Sequence, residues 1–274
     1  MGKTILIVLD ACGYDAAAHY AGTLEQSVET GGCAKYKVTG CLPSMSRPMY
    51  ETIMTGLEAG EHGIFSNDDH RPSRCENLFS LCRRAGLTTA AAAYSWMREL
   101  YNGDGPFDLA AHRYCDDDGK MIQHGVFYSE DDYPDSHLFA DADHLVAQHL
   151  PDFLLIHPMN IDDAGHKFGA ESVQYRFNAM RASILISQRL EYWRKLGYSV
   201  VVTADHGMDA QGIHGGNLPI QREVPLYIFS DAVVNGDFSS TPVSQRTIAP
   251  LVCALLGLTP PAGMIPNQIR RRAL

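Results

Sequence analysis

The sequence predicts an α/β protein: a three-layer α/β/α sandwich around a mostly parallel central sheet, with a small inserted lid. Three observations predict it. Short apolar runs bounded by turn residues recur along the 274 residues. Helix-like segments separate those runs. Polar residues of metal-ligating type stand where several runs end, the rim at which an open α/β sheet presents its ligands.

Taken in chain order, the first strand is 5–9 in "TILIVLD", closing on Asp10. The runs 88–93, 153–157, 198–203 and 224–229 read as further strands. Segment 172–196 places its apolar residues at mixed spacings of three and four, the mark of a helix with one buried face. Near-continuous apolar strands alternating with helices indicate a sheet covered on both sides. Residues 101–137, with "CDDDGK" and "SEDDYPDSH", carry no clear periodicity and are expected to form an insertion or lid within a single catalytic domain, 1–274.

Bulk numbers narrow the function. A net charge of -10 argues against a nucleic-acid polymer as partner, because phosphate contacts need clustered Lys and Arg. An anionic substrate would then need a local positive centre, which metal bound by acidic residues and some of the 12 histidines could supply. Seven cysteines, an odd number without a C-x-x-C pair, suit a reducing compartment. Without a long apolar span, and with a strand starting near Thr4, a cytoplasmic location with no membrane partner is expected.

Candidate ligands sit at strand ends. Asp10 closes the first strand, and Asp205 with His206 follows "YSVVVTA", where Gly207 permits a tight exit. After "DFLLI", Asp162 and His166 stand four apart, so on a helix they share a face. His214 lies in the glycine-rich "GIHGGN". Each alone has a plain structural alternative, an N-cap for Asp10, a surface pair for Asp162 and His166, a solvated loop for His214. All of them fall where one crevice would collect them.

A mixed Asp and His two-metal site suits in-line displacement at phosphorus. Such a site also needs a nucleophile, and the segment "CLPSMSRPMYETIMTGLEAGEHGIFSN" carries three serines. Its "PSMSRP", "TG", "EHGI" and "SN", together with "NIDDAGH" and "TADHGM", occur in the order and spacing seen in the alkaline phosphatase superfamily. The chain resembles that superfamily's nucleotide pyrophosphatase/phosphodiesterase branch, near phosphonoacetate hydrolase. The resemblance implies Ser46 as the nucleophile, with Ser44 as the fallback, and Asn67 as a donor to a non-bridging oxygen. It implies Asp162, His166 and His214 around one zinc, and Asp10, Ser46, Asp205 and His206 around the other, manganese or iron being alternatives. His157 and His62 are reserves, expected at a strand end and bracing the loop before Asn67.

The expected activity is phosphate-ester hydrolysis, of a monoester or diester, through a covalent intermediate on Ser46. Arg47 stands where the nucleotide-cleaving branch has an aromatic residue that stacks on the base, which points to a second anionic group on a small phosphorus-containing substrate. Three alternatives remain in view. A sulfatase or phosphonate hydrolase would oxidise the serine of "SRPMY", although Tyr50 holds the place of the arginine in that motif. A phosphomutase would carry a larger insertion. A catalytically silent metal-binding interaction protein would keep the fold alone.

Overall fold

The computed structural model describes residues 2–103 and 105–272. Its centre is one ten-stranded sheet. In chain order the strands are β1 (Lys3–Val8), β2 (Ala34–Thr39), β3 (Thr89–Tyr94), β4 (Tyr114–Asp116), β5 (His124–Tyr128), β6 (Phe153–Ile156), β7 (Tyr198–Thr203), β8 (Glu223–Phe229), β9 (Gly236–Asp237) and β10 (Val243–Ser244). Their spatial order is β10-β2-β8-β7-β1-β6-β3-β5-β4, with β9 alongside β2.

The sheet is mixed. β8 pairs antiparallel with both β2 and β7, and β4 pairs antiparallel with β5. The middle is parallel: β7, β1, β6, β3 and β5 run the same way. β1 is nearly all apolar and its residues Thr4 to Val8 are buried, as a strand covered on both faces must be. β3 is richer in alanine than a strand usually is, yet every residue from Thr89 to Tyr94 is buried. Alanine favours helices in isolation, so packing decides here: small side chains let both helical layers approach this part of the sheet.

Helices Tyr14–Tyr20, Gly22–Glu29, Asp135–His149 and Val173–Lys195 form one outer layer, and Ser46–Thr55, Leu78–Arg84, Ser95–Tyr101 and Ile248–Leu256 form the other. Val173–Lys195 coincides with the helix expected at 172–196, and Ser172 caps it by accepting from the Tyr175 amide. Within 101–137, β4 and β5 extend the sheet to its far edge. Parallel strands point their carboxyl ends at one rim, so the residues after β1, β6 and β7 and before the helix Ser46–Thr55 all meet there.

Candidate active site

Three buried carboxylates converge at that rim. Asp10 follows β1 and Asp205 follows β7, both fully buried, and Asp162 lies in the first turn of the helix Asn160–Phe168 with 5% exposure. The predicted helical placement of Asp162 and His166 holds: Asp162 Oδ1 is 3.4 Å from His166 Nε2. Asp205 Oδ1 accepts from the amides of Ala11 (3.0 Å) and His206 (2.8 Å), which ties the exits of β1 and β7 together. Gly207 is required at this exit. A Cβ there would lie 2.1 Å from the carbonyl oxygen of Ile220.

Ser46 is the first residue of its helix, where free amides and the positive helix end favour an anion. Its Oγ lies 3.2 Å from His206 Nε2, which is itself 3.6 Å from Asp10 Oδ1 and 3.3 Å from Asp205 Oδ2. Ser44 Oγ instead donates to the Gly216 carbonyl at 2.7 Å, so its hydroxyl is engaged in holding the glycine-rich loop. His214 enters from that loop. Its ring stacks on His206 at 3.8 Å between centroids, and its Nε2 is 3.3 Å from His166 Nε2.

Two sets of ligand-type atoms result, each within 4.8 Å of one another: Asp162, His166 and His214, and Asp10, Asp162 and His206. The first is the triple expected from the sequence. In the second, Asp162 stands between the two groups, while Asp205 joins through its contact with His206. The chemistry of these donors fits cations. Among the described residues, Asp10 Oδ1, Asp162 Oδ1 and Asp205 Oδ2 are buried and have no hydrogen-bond partner, an arrangement that is costly unless positive charge faces them.

The titration behaviour agrees. Burial, and then the charges of Asp10 and Asp205, push Asp162 well above the usual carboxylate range; burial and Asp10 do the same to Asp205. Burial also acts to raise Asp10, but His157, His206 and Tyr50 outweigh it and bring the group to about 2. Burial, followed by the neighbouring charge of His206, lowers His214 to about 3, leaving a neutral imidazole with the lone pair a metal needs. Three carboxylates this close cannot all ionise unless cations offset them.

Two further residues hold Asp10: His157, a reserve ligand in the sequence, and Tyr50, which there stands only in the arginine place of a sulfatase motif. His157 Nε2 is 3.0 Å from Asp10 Oδ2, and the Tyr50 hydroxyl donates to the same oxygen. Tyr50 lies four residues after Ser46, on the same face of the helix, and that spacing was the available signal. His62 does brace its loop, at 3.2 Å from both Thr52 Oγ1 and the Ile64 amide.

Asn67 Oδ1 accepts from the Arg47 amide at 3.0 Å, so its Nδ2 remains to donate. Arg47 is fully buried, ion-paired with Glu99 and stacked over Trp96 at 4.5 Å, while its Nε and Nη1 have no partner among the described residues. Nothing in "SRPMY" signalled Trp96 or Glu99, which come from the helix Ser95–Tyr101 after β3.

This fold and rim define a class, the α/β enzymes of phosphoester chemistry. A family model described as type I phosphodiesterase / nucleotide pyrophosphatase matches residues 4–113 and 83–214. The chain belongs to that family, within the alkaline phosphatase superfamily as the motifs implied. Murine ectonucleotide pyrophosphatase / phosphodiesterase 5, in an inactive form with AMP, superposes at TM-score 0.75 with 13% identity, covering 95% of this chain and 96% of that one. Phosphonoacetate hydrolase from Sinorhizobium meliloti gives 0.54 with 21% identity, over 75% and 56%. Both likenesses speak to the fold.

Among curated relatives, the human GPI ethanolamine phosphate transferase 3 catalytic subunit is 32% identical over 123 residues, 42% of this chain and 11% of that protein. GPI ethanolamine phosphate transferase 2 of Aspergillus fumigatus is 23% identical over an alignment of 295 positions including gaps, which covers 94% of this chain and 36% of that protein. These relatives overturn the cytoplasmic location expected from the sequence. They are named GPI ethanolamine phosphate transferases, and the chain spans 11% of the human protein and 36% of the Aspergillus fumigatus one. No helix among the described residues is long and apolar enough to cross a membrane.

Proposed function

We propose that the chain is a metal-dependent phosphoesterase that uses Ser46 as its nucleophile. The observation that carries the reading is the placement of Ser46 Oγ, at a helix start and 3.2 Å from His206, beside buried carboxylates that each keep one oxygen without a hydrogen-bond partner among the described residues. Asp162, His166 and His214 would hold one divalent cation; Asp10, Asp205, His206 and Ser46 would hold the other. Mixed imidazole and carboxylate donors suit zinc, and also manganese or iron. Bound there, such ions would favour the ionised Ser46 hydroxyl and neutralise charge on the phosphoryl group.

Ser46 Oγ attacks phosphorus, an Oγ–P bond forms, and the bond from phosphorus to the leaving oxygen breaks with its electron pair departing on that oxygen. Asn67 Oδ1 is held by the Arg47 amide, which leaves Nδ2 to donate to a non-bridging oxygen. Tyr50 and His157 fix Asp10 from behind. Arg47, with Nε and Nη1 unpartnered among the described residues, favours a small substrate with a second anionic or polar group.

Water then resolves the covalent intermediate in a hydrolase. The curated relatives support a second reading, in which an acceptor hydroxyl takes the phosphorus group in place of water. Turnover of bis-(4-nitrophenyl) phosphate, abolished by chelation and by Ser46→Ala, tests the common chemistry. Product analysis with and without excess ethanolamine or glycerol separates hydrolysis from transfer. Full turnover by a folded Ser46→Ala variant would remove the nucleophile assignment.

A further inference from the structure

A separate group of donors lies at the opposite rim of the sheet. Asp116 ends β4 and His124 begins β5, directly opposite each other in the antiparallel pair. Asp116 Oδ1 is 2.7 Å from His124 Nδ1. The His149 ring, at the end of the helix Asp135–His149, stacks on that of His124 with centroids 3.7 Å apart and 10° between planes. One ligand-type atom from each of the three residues lies within 4.8 Å of the others.

This group is distinct from the catalytic rim. His124 pairs with Ala90 near the start of β3, whereas Tyr128, four residues on, donates to the His157 carbonyl beside Asp10. Four strand residues span about 13 Å. The His124 side chain is 12% exposed and the Asp116 side chain 76%, so an ion could enter from solvent while the imidazole is held by the sheet. Neither ring nitrogen of His149 has a hydrogen-bond partner among the described residues. A cation at this place also meets the negative end of the helix. Two imidazoles and one carboxylate, with further positions open to water, are a set that zinc and other borderline divalent ions accept.

We propose that Asp116, His124 and His149 form an additional divalent transition-metal site, of zinc type, that clamps the edge hairpin of β4 and β5 to the end of the helix behind it. β4 is the last strand of the sheet among the described residues. A metal clamp would hold that edge against fraying without taking part in chemistry at Ser46.

The test uses the intact protein, saturated with zinc, passed through a desalting column, and analysed for metal per chain. His149→Ala and Asp116→Asn are compared with the unsubstituted protein, since both changes fall on accessible side chains and leave β5 intact; far-ultraviolet circular dichroism confirms their folding. The proposal expects each variant to carry one zinc fewer per chain, with unchanged turnover of bis-(4-nitrophenyl) phosphate. Equal zinc content in a folded His149→Ala and the unsubstituted protein would overturn it, as would weak loading that washes off both alike.

Discussion

Gly207→Ala perturbs the turn that aims His206 at Ser46, and the structure gives its size. The added Cβ would sit 2.1 Å from the Ile220 carbonyl oxygen and 3.1 Å from the Gly13 Cα, both backbone atoms. Ordinary van der Waals contact begins at 3.4 Å, so the 205–207 exit or the backbone at Ile220 must move. Overpacking of this kind costs about 1–3 kcal/mol. In a chain of this size each kcal/mol lowers Tm by about 2–4 °C.

The same displacement falls on His206, adjacent to Gly207, and misplacement by about 1 Å can cost about 100-fold in rate. Calorimetry and turnover of bis-(4-nitrophenyl) phosphate are the assays. Gly165→Ala is the internal comparison. Its Cβ would meet the Met208 side chain at 2.9 Å, a flexible group that can move, so a smaller loss is expected. A Gly207→Ala protein with unchanged Tm and rate would refute the claim that backbone packing at this turn positions the site.

Ser46→Ala should lower turnover by at least about 10³-fold while circular dichroism stays unchanged, because the residue acts through its hydroxyl. Tyr50→Phe removes a donor to Asp10 and should weaken metal affinity by about 10-fold or more, measured by competition with a chelator. Asp135 gives a pH signature. Burial raises its carboxyl from 3.8 to about 7. Between those values the unfolded chain ionises while the folded one keeps its proton, so this group reduces stability by about 1.4 kcal/mol per pH unit as pH rises, levelling off above the folded value. Asp135→Asn removes that slope. Its Tm relative to the unsubstituted protein should climb from pH 5 to 8, and a constant difference would refute the assignment.

The central strands were legible because a strand buried on both faces must be almost wholly apolar, as β1, β6 and β7 are. β2 was not, because Lys35 and Lys37 interrupt its apolar pattern. In the fold they lie over the Tyr14 ring and pair with Glu25 and Glu223, partners more than the local sequence could supply. β4 and β5 were hidden for a related reason: they are short, and His124 and Asp116 find their partners across the hairpin.

At the site, side chains leaving strand ends could be anticipated from topology, since parallel strands deliver their carboxyl ends to one rim. The tethering of Asp10 by His157 and Tyr50 could not be anticipated in the same way, because it depends on how the helix Ser46–Thr55 rotates against β1 and β6. Arg47 illustrates the limit most clearly. Its charge suggested an anion, but its pairing with Glu99 and stacking on Trp96 emerge from residues some fifty positions away.

Anomalous diffraction at the zinc edge from crystals grown with zinc and vanadate tests the account most directly. The account predicts two peaks at this rim, one among Asp162, His166 and His214 and one among Asp10, Asp205, His206 and Ser46, with vanadium bonded to Ser46 Oγ. Crystals with no metal peak at this rim, or with vanadate bound away from Ser46, would contradict it.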